Sequence, residues 1–203
     1  MASQPDALSL RKAPRQRRSA HTVEAILEAA ALVLEADGLE GFNTNAVARR
    51  AGASIGTLYQ YFPSKDALTL ALLMREEARS HADAAAAAAL PSWRAALTAF
   101  IDVGVRQQLT RPNLARLLDQ EEERPHIRAA KEGAYSFADL LLVVLDKPDA
   151  PLHLQDATQR ALAAADLLAI IRAMVDAAGQ RGETDVDQLA QRVRAAAFGY
   201  LNG

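Results

Sequence analysis

"TNAVARRAGASIGTLYQYFPSKDAL", residues 44–68, sets two short helical patterns around an Ala51-Gly52 turn and ends the second at Pro63. The first pattern covers about Thr44 to Ala51, with Asn43 or Thr44 as N-cap and with Val47 and Ala51 facing inward. Gly52 stops it. The second covers about Ile55 to Tyr61 and takes Ser54 as its cap. Pro63 forces a break, and Ser64 then caps a long helix with Asp66 in its first turn. Two short helices joined through a glycine over residues 44–62 have the length of a helix-turn-helix.

The aromatic residues crowd into the second helix. Tyr59, Tyr61 and Phe62 are three of the chain's nine Tyr and Phe residues. Leu58 and Phe62 stand four apart on one face, suited to packing on Val47, Ala51 and the preceding helix. Tyr59 lies about 100° round the helix from Leu58. The reading places Gln60 and Tyr61 on the side away from Leu58, so that Thr57, Tyr59, Gln60, Tyr61 and Lys65 look outward. The alternative makes every ring a core residue. Against it, two tyrosines at i and i+2 do not both face one core, and buried hydroxyls need partners. Gly56 has no side chain and lets another surface, helix or DNA backbone, come close.

Outside this stretch the chain also reads as helix. Alanine, leucine, arginine and glutamine dominate, and alternating β-branched runs are missing. A first helix runs from about Ser19 to Asp37, with Ile26, Leu27, Ala30, Val33 and Leu34 as its apolar stripe and Gly38 as C-cap. The helix after Ser64 continues through the Ala84–Ala89 run to Pro91. Further helices are predicted at about Ser92–Leu109, Asn113–Glu123, His126–Leu145, Leu154–Gln180 and Thr184–Leu201, punctuated by prolines and Gly182. The fold class is therefore all-α, a three-helix helix-turn-helix head followed by six helices. Residues 1–18 form a basic arm, 19–66 the helix-turn-helix head, and 67–203 a second, wholly helical domain.

Composition narrows the chemistry. The 203 residues contain no cysteine, which excludes disulfide frameworks, zinc fingers and cysteine nucleophiles. No run of 18 apolar residues occurs, and the first 20 residues lack an apolar signal core, so a cytoplasmic chain is expected. The net charge is −2, but its distribution matters more. Residues 1–18 hold five basic side chains against Asp6 alone, residues 19–75 are net acidic, and residues 76–203 more so. The basic charge is a short arm, including Arg15, Arg17 and Arg18. It reads either as a solvated tail or as an arm that follows phosphates or enters the minor groove. Arg49 and Arg50 end their short helix and serve equally as partners of its dipole.

The quoted stretch resembles the DNA-binding domain of the TetR family of bacterial transcriptional regulators. The resemblance covers roughly residues 20–70. It rests on the short helix, the AG turn, GTLYxYF, and the S-K-[DE]-x-L start of the next helix, all in register. Ala53 stands where valine is usual, and Asn43 where threonine is common. The resemblance implies phosphate contacts from Thr44, Tyr59 and Tyr61, and from Lys65 at a helix start, where ammonium and free N–H groups meet one phosphate. It implies that Asn45, Ile55, Thr57 and Gln60 face base edges, with Ser54 in the same contact set. Asn45 and Gln60 suit adenine bidentately, while Ile55 and the Thr57 methyl suit thymine. Solvated helix residues are the alternative for Asn45 and Gln60.

The carboxyl-terminal two thirds match the family only by length and helical character. Leu162, Ala165, Leu168 and Ala169 form one stripe, and Val186, Leu189, Val193, Ala197 and Tyr200 another, predicted as a four-helix dimer interface or as intrachain core. A dimer would read a palindromic operator in double-stranded DNA, with recognition helices roughly 34–36 Å apart. A small-molecule effector that favours wider spacing would release it. Pocket candidates are Trp93, Phe100, Arg116, His126, Tyr135, Phe137 and Met174, rare aromatic and polar residues amid aliphatic helices. Glu123-x-x-His126 has carboxylate–histidine spacing, but no second copy exists and Pro125 interrupts it, so a surface acidic run is the reading. No metal, cofactor or catalytic motif is evident, and the chain reads as a non-enzyme. The competing function is a helical small-molecule-binding protein that uses its head for protein contacts and has no DNA affinity.

Overall fold

The structure is a computed structural model, and it describes residues 17–131, 133, 135–151 and 156–202. Arg15 lies outside the described residues, as do the side chains of Arg17 and Arg18. Ten helices occur among the described residues, and no strand. The chain divides into two compact units, Met1–Glu76 with Leu117–Ala134, and Glu77–Arg116 with Tyr135–Gly203. The first unit thus runs ten residues beyond the position 66 at which the sequence reading ends its head, and it adds a segment from the rear half.

The first unit holds α1 (Arg17–Gly41), α2 (Thr44–Arg50), α3 (Ile55–Tyr61), the start of α4 (Lys65–Ala88), the end of α6 (Pro112–Glu122) and α7 (Pro125–Lys131). α1 continues to Gly41 through a kink at Gly38. Its predicted stripe is buried, with Ile26, Ala30 and Leu34 fully covered. α2 packs on both α1 and α3, and its Val47 is fully buried. Arg75 reaches from α4 to Glu24 and Glu28 on α1, at 3.3 and 3.2 Å, and also pairs with Glu76. Its side chain is 7% exposed. Three carboxylates around a covered guanidinium tie the two helices together, because leaving that charge buried and unpaired is strongly unfavourable.

The second unit holds the rest of α4, α5 (Trp93–Thr110), the start of α6, α8 (Phe137–Leu145), α9 (Ala157–Gln180) and α10 (Val186–Asn202). α9 packs on α5, α8 and α10, and α5 also packs on α8 and α10. Leu97, Ile101, Leu141, Leu167, Leu189 and Val193 lie at the centre of that core. Among the described residues, seven helices follow the head, not six. The predicted His126–Leu145 helix is divided into α7 and α8, and Gly133 between them takes φ 80°. That backbone conformation is easy for glycine and incompatible with a continuing right-handed helix.

Candidate nucleic-acid interface and ligand cavity

In the head, the two caps fix the helix-turn-helix locally. Asn43 caps α2: its Oδ1 accepts from the Ala46 N–H at 2.9 Å, and its Nδ2 donates to the Gly41 carbonyl at 3.0 Å. Ser54 caps α3, accepting from the Thr57 N–H at 3.0 Å. Each oxygen satisfies an amide that the helix start leaves without a partner. Gly52, between the helices, takes φ 65°, a left-handed turn open to glycine at little cost.

α3 then sorts its side chains. Leu58 and Phe62 are fully buried, as their spacing predicts. Tyr61, expected to look outward, is buried too, at 7% exposure. The reason is helical phase. Residue 61 follows Leu58 by three positions, about −60° on a 3.6-residue turn, so Leu58, Tyr61 and Phe62 share a face. Tyr59, Gln60, Ile55 and Ser54 are exposed, Tyr59 at 42% and Ile55 at 38%. Thr57 is half-buried, and its hydroxyl lies 2.8 Å from that of Ser54.

Thr44 is buried at the start of α2, and its hydroxyl stands 3.2 Å from the Tyr59 hydroxyl. This contact brings two predicted phosphate ligands from different helices together. Asn45 beside it is exposed. Lys65 opens α4 with its ammonium 5.2 Å from the centre of the Phe42 ring, a contact worth about 0.5–1 kcal/mol at an exposed site. Arg49 and Arg50 are exposed at the end of α2.

One residue after Lys65, Asp66 anchors an ion network. Its Oδ1 accepts from Arg124 at 2.6 Å, its Oδ2 lies 3.0 Å from His126 Nε2, and Arg124 also reaches Glu121 at 2.6 Å. His126, a predicted pocket residue, therefore belongs to this cluster in the first unit and does not line the cavity in the second. Glu121 is buried, so the acidic run is only partly a surface feature. Burial alone would raise the Asp66 carboxyl, but the hydrogen bonds and charges of Arg124 and His126 outweigh it and hold it below its ordinary 3.8. A carboxyl whose pKa is lowered by folding stabilises the fold above its unfolded value, and that stability is lost as pH falls through the folded value. Asp66→Asn should therefore flatten the acid limb of thermal stability below about pH 4. Melting curves from about pH 6 down to about pH 3 check this, and an unchanged slope would refute it.

In the second unit, α4, α5, α8 and α9 line a cavity of about 180 Å³ that opens to solvent. Phe100 and Phe137, two predicted pocket residues, line it with their rings edge to face at 6.4 Å. The other candidates lie elsewhere. Trp93 is buried against Phe198, with ring centres 5.6 Å apart. Tyr135 is exposed and rests on His81 at 5.1 Å. Met174 packs on the core from its edge, and Arg116 is half-buried on α6. The sequence reading missed Ser80, Gln108, Arg172 and Asp176, all on the cavity wall. A signal existed for Arg172, which is a charge inside the apolar run "LLAIIRAMV" of α9.

The predicted interface residues divide. Leu189, Val193 and Ala197 are fully buried within the chain, and Val186 packs against the same core, so these four are intrachain core. Leu168 lines the cavity. Leu162, Ala165, Ala169 and Tyr200 remain outward, Leu162 at 62% exposure. The Tyr200 hydroxyl donates to Asp166 on α9 at 2.6 Å. No group of three or more metal-ligating side chains occurs among the described residues, and no described helix is long and apolar enough to cross a membrane.

Residues 26–72, the span from the α1 stripe to α4, match the bacterial regulatory proteins of the tetR family. Over those residues the chain is similar to the TetR family. The HTH-type transcriptional repressor KstR of Mycolicibacterium smegmatis is 42% identical over 65 residues, 32% of this chain and 29% of KstR. The chain thus spans under a third of that relative's length. Beyond the head, the likeness is one of fold. A TetR-like transcriptional regulator from Rhodococcus sp. RHA1 superposes with a TM-score of 0.64 at 24% identity, covering 95% of this chain and 100% of that one. The transcriptional regulator FadR from Bacillus subtilis, solved in complex with stearoyl-CoA, superposes at 0.71 with 16% identity, covering 86% of this chain and 96% of that one.

Proposed function

We propose that this protein is a ligand-responsive, homodimeric transcriptional regulator of the TetR family. It acts in the cytoplasm as a repressor that binds a palindromic operator and is released by a small molecule. The observation that carries the reading is the division of α3, where Leu58, Tyr61 and Phe62 are buried while Ile55, Tyr59 and Gln60 are exposed. A recognition helix needs both a seat and a free face. In this reading the paired hydroxyls of Thr44 and Tyr59 meet one phosphate, and Lys65 with the α4 amides meets another. Asn45, Ile55, Thr57 and Gln60 face the bases, with Ser54 beside them. Arg15, Arg17 and Arg18 follow the backbone next to the recognition helix. Tyr61 supports α3 from beneath.

Mobility shift and footprinting on the DNA around the protein's own gene test this. Absence of a protected palindrome at modest salt, with folded dimer present, would sink the reading. Lys65→Ala should weaken binding to all duplexes alike, whereas Gln60→Ala should change sequence preference by about 1–3 kcal/mol at one base pair. Unchanged preference in Gln60→Ala refutes its base-reading role. The cavity in the second unit favours one other reading, a small-molecule-binding protein whose head contacts proteins. That reading requires Arg15, Arg17 and Arg18 to be dispensable for any salt-dependent interaction with duplex DNA.

A further inference from the structure

Three features of the cavity wall bear on what it holds. The first is size. An apolar cavity of about 150 Å³ accepts benzene, and sites for drug-sized ligands start near 300 Å³. At about 180 Å³, this one takes a single ring with small substituents.

The second is a pair of covered polar groups. Ser80 and Gln108 line the cavity at 8% and 7% exposure, and neither side chain has a hydrogen-bond partner among the described residues. The polar atoms of both open onto the cavity and can offer hydrogen bonds to a ligand there. The Gln108 amide is also seated. It lies against Gly179 on α9, where a Cβ would fall 2.3 Å from Nε2. Only a glycine there lets the amide occupy that place.

The third is charge. Arg172 and Asp176 are the charged residues on the wall. Asp176 already has a partner. Arg172 is exposed, its guanidinium sits 5.8 Å from the Phe137 ring centre, and it has no carboxylate partner among the described residues. An exposed guanidinium without a carboxylate partner and hydrogen-bonding groups on the same wall suit a ligand with an acid at one end and a hydroxyl at the other. The edge-to-face pair of Phe100 and Phe137 gives a flat ring an aromatic surface to pack against.

We propose that the cavity between α4, α5, α8 and α9 binds a small aromatic carboxylic acid bearing a hydroxyl group, with Arg172 on the carboxylate and Ser80 and Gln108 on the hydroxyl. This rests on the ligand-responsive reading for its biological meaning, but direct binding without DNA measures it independently.

Calorimetry on the full chain, with 4-hydroxybenzoate as probe, is the test. The acid should bind at least about tenfold more tightly than 4-hydroxybenzamide or benzoate. Arg172→Gln should remove the preference over the neutral amide, and Gln108→Leu the preference over benzoate. Gly179→Ala, which displaces the Gln108 amide, should act as Gln108→Leu does, and melting curves verify that each variant is folded. Equal affinity for acid and amide, indifference of the acid to Arg172→Gln, no saturable heat from the acid, or tight binding of stearoyl-CoA would each overturn the proposal. Binding of the acid by a protein that gives no footprint would defeat the operator reading and leave this one standing.

Discussion

Phe62→Ala should unfold the head or leave it too unstable to bind DNA, at a cost of about 3–5 kcal/mol. The ring is fully buried at the end of α3, alongside Leu58. Truncation removes its transfer free energy and leaves a cavity that close-packed helices relax into only in part. α3 has seven residues, far below the length at which a helix holds in isolation. Its position therefore depends on that packing. Urea unfolding followed in the head, with parallel mobility shifts, reads both effects. Phe62→Leu, which keeps most of the volume, should cost under about 1.5 kcal/mol and keep DNA binding. A Phe62→Ala protein within about 1 kcal/mol of the parent would show that α3 is held by something other than this seat.

The second large effect is expected at the outward face of α9. Leu162→Asp should yield a folded monomer whose operator affinity falls by about 10²–10⁴, the avidity lost when two linked sites act singly. Leu162 is 62% exposed, so the change should leave the stability of the chain itself nearly intact. It would place a charge at the centre of a face of small residues, where Ala165 and Ala169 would allow close helix approach. Light scattering and operator titration on the same sample check the two halves together. A dimer that persists with full operator affinity would locate the two-fold contact elsewhere.

Much of the head was legible because its signals are local. Asn43, Gly52, Ser54 and Pro63 each act within a few residues of the backbone they shape, and helical spacing alone buries Leu58 and Phe62. Tyr61 was misjudged within the same logic, since a residue three positions on returns to the starting face. Other features needed tertiary information. Arg75 joins α4 to α1 across about fifty residues of sequence, and nothing beside it in the chain announces Glu24 or Glu28. In the rear half, aromatic residues were weighted as pocket residues, yet Trp93 serves the core. There the apolar spacing of α10 marks a buried face without saying whose surface covers it, so Leu189 and Val193 read as interface or core alike. Gly133 was visible as a glycine, but its left-handed backbone, which separates α7 from α8, was not.

The two-sided build of α3 also bears on how such a protein can acquire new targets. Its stability is invested in Leu58, Tyr61 and Phe62, whereas Ile55, Gln60 and the neighbouring Asn45 on α2 are exposed. Surface substitutions of that kind usually change stability by no more than about 0.5 kcal/mol. Target choice can therefore drift, or be re-engineered in a library at those three positions, without each variant having to solve the folding problem again.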